Sequence, residues 1–139
     1  MILQLQILAW LGVAVFLGIT HLLLVTAAAT SKRGVKWNMS SRDQAAPALT
    51  GKTARLERAF KNFQETFPFF LGAVVVAIVN IFLSNSSASL PVLGCQIYVI
   101  ARLLYIPAYV FNLIGLRTLI WTTSMIGIGL VLLSGLQIL

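Results

Sequence analysis

Residues 2–29 read ILQLQILAWLGVAVFLGITHLLLVTAAA, a run without a single charged side chain. About 20 apolar residues, at 1.5 Å of rise each, cross the hydrocarbon of a bilayer. The run is too long for the apolar core of a secretory signal, and it predicts a transmembrane helix. Three more apolar runs follow, at about 60–83, 90–112 and 116–138. The third opens with Pro91 near its first turn, where proline costs little. The expected fold is an all-α membrane protein of four spans, a single domain over 1–139.

Composition agrees. Of 139 residues, 59% are hydrophobic and 9% charged, with a mean hydropathy of +0.95. A soluble domain carries about 25% charged residues, so lipid must cover much of this surface. A single cysteine, Cys95, rules out an intrachain disulfide, and its apolar surroundings point to a small buried or lipid-facing side chain rather than a nucleophile.

The net charge of +7 is unevenly spread. Lys32, Arg33, Lys36, Arg42, Lys52, Arg55, Arg58 and Lys61 are eight of the ten basic residues, and the only acids are Asp43, Glu57 and Glu65. One basic loop between apolar spans marks a cytoplasmic side rather than a nucleic-acid surface. The polar loop 30–58, with Gly34, Pro47 and Gly51 as breakers, is therefore expected in the cytoplasm, with both termini and the 84–89 turn opposite. A tight connection around Gly115 returns to the cytoplasmic side. Short connections make successive helices antiparallel neighbours in an up-down-up-down bundle. Asn85-Ser86-Ser87 matches a glycosylation acceptor, but so short a pattern in a serine-rich turn arises easily by chance.

Ionisable residues inside spans cost about 2.5–3.5 kcal/mol at the bilayer centre and face the bundle interior or water. Glu65, Arg102 and Arg117 are such residues. On a helix, Arg55, Arg58, Asn62 and Glu65 fall within about 80° of one another, and Tyr98, Arg102, Tyr105 and Tyr109 within about 60°. Glu65 lies roughly 7 Å inside, and Tyr109, Tyr105 and Arg102 roughly 5, 10 and 15 Å inside, from the same surface. Arg117 enters there too, with Trp121 one turn on. Three helices thus bring polar groups to one layer.

The plainest explanation is an internal Glu65–Arg102 ion pair, since neither charge is stable alone in low dielectric. Yet Arg58, Arg102 and Arg117 outnumber one carboxylate, which leaves positive potential for an anionic ligand. Arginine forks suit carboxylates. Pro68 and Pro107 deprive the Gln64 and Leu103 carbonyls of their helical donors, as a kink or as groups offered to the site. His21 has no companion ligand at metal spacing, so no metal is expected and hydrogen-bonded packing is its predicted role. Asn80 is expected to bond between helices.

Arg58-Ala59-Phe60-Lys61-Asn62-Phe63-Gln64-Glu65-Thr66-Phe67-Pro68-Phe69 resembles the membrane-associated proteins in eicosanoid and glutathione metabolism, the MAPEG family, in their bacterial type. Arg102-Leu103-Leu104-Tyr105-Ile106-Pro107-Ala108-Tyr109 and Leu116-Arg117-Thr118-Leu119-Ile120-Trp121 extend the likeness over nearly the whole chain. The resemblance implies a homotrimer in the bacterial inner membrane that binds glutathione, as co-substrate, between subunits near the cytoplasmic face. It implies that Arg58, Lys61, Asn62 and Glu65 hold the peptide and that Arg102, Tyr105, Tyr109 and Trp121 line the wall. Arg117 would stabilise the thiolate, beside Thr118. The expected activity is a glutathione transferase or peroxidase acting on a lipophilic electrophile. The chain departs from common family usage at Lys61, often arginine, at Tyr105, sometimes histidine, and at Trp121, sometimes tyrosine. Two other readings stay open: a relative that binds glutathione or another anion without turnover, and a small proton-coupled exporter working through Glu65.

Overall fold

The computed structural model describes residues 2–41, 43, 45–84 and 86–137, so Arg42 and the Asn85 triplet's first residue lie outside the described residues. The chain forms α1 (Ile2–Arg33), α2 (Val35–Asn38), α3 (Gly51–Ser84), α4 (Ser89–Val110) and α5 (Ile114–Gly135). Four of these, all but α2, are long and apolar enough to cross a membrane. The protein is an integral, multi-pass helical membrane protein.

Contacts at the helix ends establish the alternating directions. At one end Arg33, closing α1, pairs with Glu57 near the start of α3 at 3.6 Å. Arg55 of α3 donates to the Val110 carbonyl at the end of α4. At the other end Gln137, just past α5, donates to Asn80 and Ser84 of α3 at 3.1 and 2.9 Å. The N-terminal part of α1 meets the same end, with Gln4 and Ile7 beside Ile81 and Phe82. The expected interhelical role of Asn80 is thereby realised: its amide also donates to Ser86 in the α3–α4 turn.

Two boundaries differ from the hydropathy reading. The expected loop 30–58 is partly helical: α1 runs on to Arg33, α2 adds one turn, and α3 begins at Gly51 rather than near 60. Hydropathy reports where lipid ends, not where a helix ends. At 1.5 Å per residue α3 is about 51 Å long, so its basic first turns project beyond a hydrocarbon layer of about 30 Å. The breakers act as expected where φ is positive, at Gly34 (86°) and Gly51 (60°). The second difference is the α4–α5 turn. It pivots on Asn112, left-handed at φ 60°, and Gly115 lies inside α5. Asparagine tolerates that conformation because its short side chain can bond locally.

The core runs through the middle of the bundle and joins Ile7 and Ala14 of α1 to Phe70, Val74 and Ala77 of α3, Cys95, Tyr98 and Val99 of α4, and Val131 of α5. Cys95 is free and fully buried rather than lipid-facing. α4 and α5 approach most closely, through Gly94 and Gly127. α1 packs on α3 and α4 and does not touch α5. Pro68 and Pro107 sit inside α3 and α4, which continue through them. His21 is 1% exposed, with its ring edge-on to Phe60 at 5.2 Å and the Leu56 backbone beside it.

Candidate functional site at the basic end

On α3 the polar stripe splits into two rows. Positions seven apart differ by about 20° and positions three apart by about 60°, so Arg55 aligns with Asn62 and Arg58 with Glu65. The Arg55–Asn62 row faces α4. Arg55 donates through Nε to the Val110 carbonyl at 2.9 Å, and the Asn62 Oδ1 accepts from Arg102 Nη1 at 2.8 Å. The Arg58–Glu65 row points outward, and both side chains are exposed, as is Lys61.

Arg102 is the pivot of the interior. It is 2% exposed, and its guanidinium carbon lies 5.4 Å from the Tyr98 ring centre and 5.5 Å from that of Tyr105. Tyr98 in turn stacks on Phe70 with ring centres 4.0 Å apart. Two aromatic faces thus lower the cost of burying the cation, each contact contributing about 0.5–2 kcal/mol. A Glu65 pairing, the plainest alternative, is not how this charge is met: Asn62, a neutral amide, is its acceptor. Among the described residues, the ion pair found is Arg33–Glu57. Arg102 Nε and Nη2 are buried with no hydrogen bond of good geometry, and the Tyr98 hydroxyl lies beside the guanidinium. Buried donors of this kind are seldom left unmatched. Arg102 does not itself line the cavity described next; it lies behind it, bonded to Asn62 and stacked on Tyr105, which do.

The cavity itself, about 200 Å³, is lined by Asn62, Tyr105, Arg117, Thr118 and Trp121. Helices α3, α4 and α5 each supply part of its wall. Arg117 sets its guanidinium 4.7 Å over the Tyr109 ring, and Tyr105 and Tyr109 lie with ring centres 5.4 Å apart. Tyr105 is within electrostatic reach of Arg117, Arg102 and Glu65. Thr118 Oγ1 donates to the Ile114 carbonyl at 3.2 Å, so toward the cavity its hydroxyl acts as an acceptor. Trp121 is 38% exposed at the rim.

Seven of the ten residues expected at the site therefore come together: Asn62, Arg102, Tyr105, Tyr109, Arg117, Thr118 and Trp121. Arg58, Lys61 and Glu65 stand outside the cavity of the single chain, on the outer surface of α3. Tyr98 belongs to the site as the support beneath Arg102. Its signal in sequence was its place one turn before Arg102 on the same face.

The Asn62–Arg102 bond makes a direct prediction. In Asn62→Leu the buried guanidinium loses its acceptor, and unfolding is expected to become easier by about 2–3 kcal/mol. Asn62→Asp, which keeps an acceptor, is expected to stay near wild type. Unfolding of the detergent-solubilised protein with increasing denaturant measures both.

What the architecture defines is a four-span helical membrane protein with an arginine- and tyrosine-walled cavity at the basic end of its bundle. The sequence profile of the MAPEG family matches residues 7–136, nearly the whole chain, and the protein belongs to that family. No match is found among curated proteins.

Proposed function

We propose that the protein is a membrane-bound glutathione transferase, or glutathione-dependent peroxidase, that acts on a lipophilic electrophile. The observation that carries this reading is the cavity wall in which Arg117, Asn62, Tyr105, Thr118 and Trp121 meet, backed by the buried and partly unmatched Arg102. Glutathione carries two carboxylates, one ammonium and one thiol. Arg102 and Arg58 suit its carboxylates, Glu65 its ammonium, and Arg117 its sulfur. In the transferase reaction the bound thiol loses its proton to solvent, and the guanidinium of Arg117 holds the resulting thiolate. The sulfur electron pair then forms a bond to the electrophilic carbon, whose leaving group departs with the displaced pair. An ordinary thiol with a pKa of about 8.5 is mostly protonated at neutral pH, so stabilising its anion raises the reactive fraction.

The outward row supports the second part of the proposal, a homotrimer with glutathione between subunits. Arg58 and Glu65 are exposed on a helix that crosses the membrane. Facing lipid, Glu65 carries the cost of an intramembrane charge. Facing a neighbouring copy across a shared site, it becomes a ligand group. The basic end is assigned to the cytoplasm by the excess of lysine and arginine there, with the bilayer as the source of the lipophilic substrate.

Titration of glutathione into the purified protein, followed by conjugation of a generic aryl halide, tests the reading. Binding with turnover that depends on Arg117 supports it. Binding without turnover would leave a ligand-binding relative, and absence of binding with proton-linked efflux from vesicles would make it an exporter. Glu65→Gln is expected to weaken glutathione about tenfold or more through loss of a charge-assisted bond.

A further inference from the structure

Arg55 does not line the cavity, yet it fastens the turn from which the cavity's key cation springs. α4 ends in a left-handed cap. The Leu113 N–H donates to the Ala108 carbonyl at 3.0 Å and the Asn112 N–H to the Tyr109 carbonyl at 3.1 Å, with Asn112 at φ 60°. That pattern satisfies the carbonyls it reaches and passes over the one at Val110. Arg55 Nε supplies the missing donor at 2.9 Å. One helical turn earlier, Lys52 Nζ stands 5.3 Å from the ring centre of Phe111, the α4 C-cap residue. Two basic side chains from the start of α3 thus hold the α4–α5 turn.

The turn has site residues on both flanks. Tyr109 precedes it, and Arg117 follows in the first turn of α5, tied by its own N–H to the Leu113 carbonyl at 2.8 Å. Their stacking at 4.7 Å spans the turn. Two turns along the same row of α3, Asn62 holds Arg102. One rigid helix face therefore grips α4 at its C-terminal carbonyl and again at Arg102, and so sets the register of Arg117 against the opposite wall.

The geometry points to Arg55 as a positioning residue for the glutathione reaction: by holding the Val110 carbonyl it sets where the Arg117 guanidinium stands relative to Asn62 and Tyr105. This inference rests on the proposed function above. A purely structural cap would stabilise α4 and leave the chemistry untouched, so the test needs readouts that a loss of stability does not move.

Arg55→Met keeps the apolar stem and removes the donor, while Arg55→Lys keeps a cation able to reach the carbonyl. In the oligomer purified in detergent, Arg55→Met is expected to lose about tenfold in rate at saturating substrates, as small misplacements of a catalytic group do. The pH midpoint of the rate is expected to move upward, because a displaced guanidinium holds the thiolate less well. Glutathione affinity should stay within about threefold, the mark of an interaction felt in the transition state. Arg55→Lys should recover most of the rate. A folded Arg55→Met protein with wild-type rate and pH midpoint overturns the inference, as does a lost rate with an unmoved midpoint. Should Arg55→Met not fold, Lys52→Ala removes the second fastening and is expected to shift the midpoint the same way; no shift overturns the inference. Arg117→Ala separates the two levels. If wild type does not conjugate, or Arg117→Ala conjugates equally well, the proposed function itself fails. If activity depends on Arg117 but not on Arg55, only the positioning role fails.

Discussion

Arg117→Ala is expected to cut the conjugation rate by about 10²–10³ while glutathione still binds within a few-fold of wild type, the loss typical of removing one preorganised donor from a developing charge. The split follows from where the groups lie. Arg102, Asn62, Tyr98 and Tyr105 lie on α3 and α4 and meet one another directly, whereas Arg117 stacks on Tyr109. On the proposed reading they would remain to hold the peptide. Arg117 alone brings a guanidinium to the α5 side of the cavity. Its removal should also carry the rate's pH midpoint upward. On the proposed reading the cation would favour the anionic thiolate and lower the thiol pKa below its ordinary value of about 8.5; without it the pKa would return toward that value, and higher pH would be needed for the same thiolate fraction. Steady-state rates across pH, with binding followed by calorimetry, measure both effects. An equal fall in affinity and rate at every pH would mean that Arg117 is only a peptide anchor.

Gly127→Ala is expected to harm the fold severely. A Cβ at Gly127 would stand 2.8 Å from the Tyr98 nitrogen, 2.9 Å from the Gly94 carbonyl oxygen and 3.2 Å from the Tyr98 Cα. All three are backbone atoms of α4, so no side chain can swing aside. The helices must separate, and between membrane helices close packing is itself the main attraction. Overpacking of this kind costs about 1–3 kcal/mol, occasionally more. The damage should also reach the site, because the atoms displaced belong to Tyr98, which lies against Arg102. Gly129→Ala is the matched control: its added Cβ meets nothing within 4 Å. Thermal unfolding in detergent should show a large drop for Gly127→Ala and almost none for Gly129→Ala. Equal behaviour of the two would refute the close-packing argument.

Much of the site was legible because each helix carries its polar residues at helical spacing. Arg102, Tyr105 and Tyr109 fall on one face, and Trp121 lies one turn beyond Arg117, by helical spacing alone; Thr118 comes from the family resemblance. Depths counted inward from the basic loop put these faces in one layer, where the cavity among Asn62, Tyr105 and Arg117 lies. The stripe on α3 was less well resolved. Positions within about 80° read as one face, whereas packing against α4 divides them into an inner row and an outer one. Arg55 was visible as a charge in the stripe, but its partner is a main-chain carbonyl, and no residue type in the sequence announces which carbonyl a helix end leaves unsatisfied.

What the sequence alone determined was therefore the class of protein, the number of its spans and the layer where polar groups gather, because burial in lipid imposes a hydropathy pattern that any bilayer protein must satisfy. Only the tertiary structure decided which groups within that layer meet. Asn62 rather than Glu65 takes the buried Arg102, and Glu65 is left on the outer face. The pivot at Asn112 and the Arg55 fastening were likewise settled by packing. The physical reason is that helical periodicity states the direction of a side chain only about its own axis, while the choice of partner depends on how neighbouring helices pack, here α3 against α4.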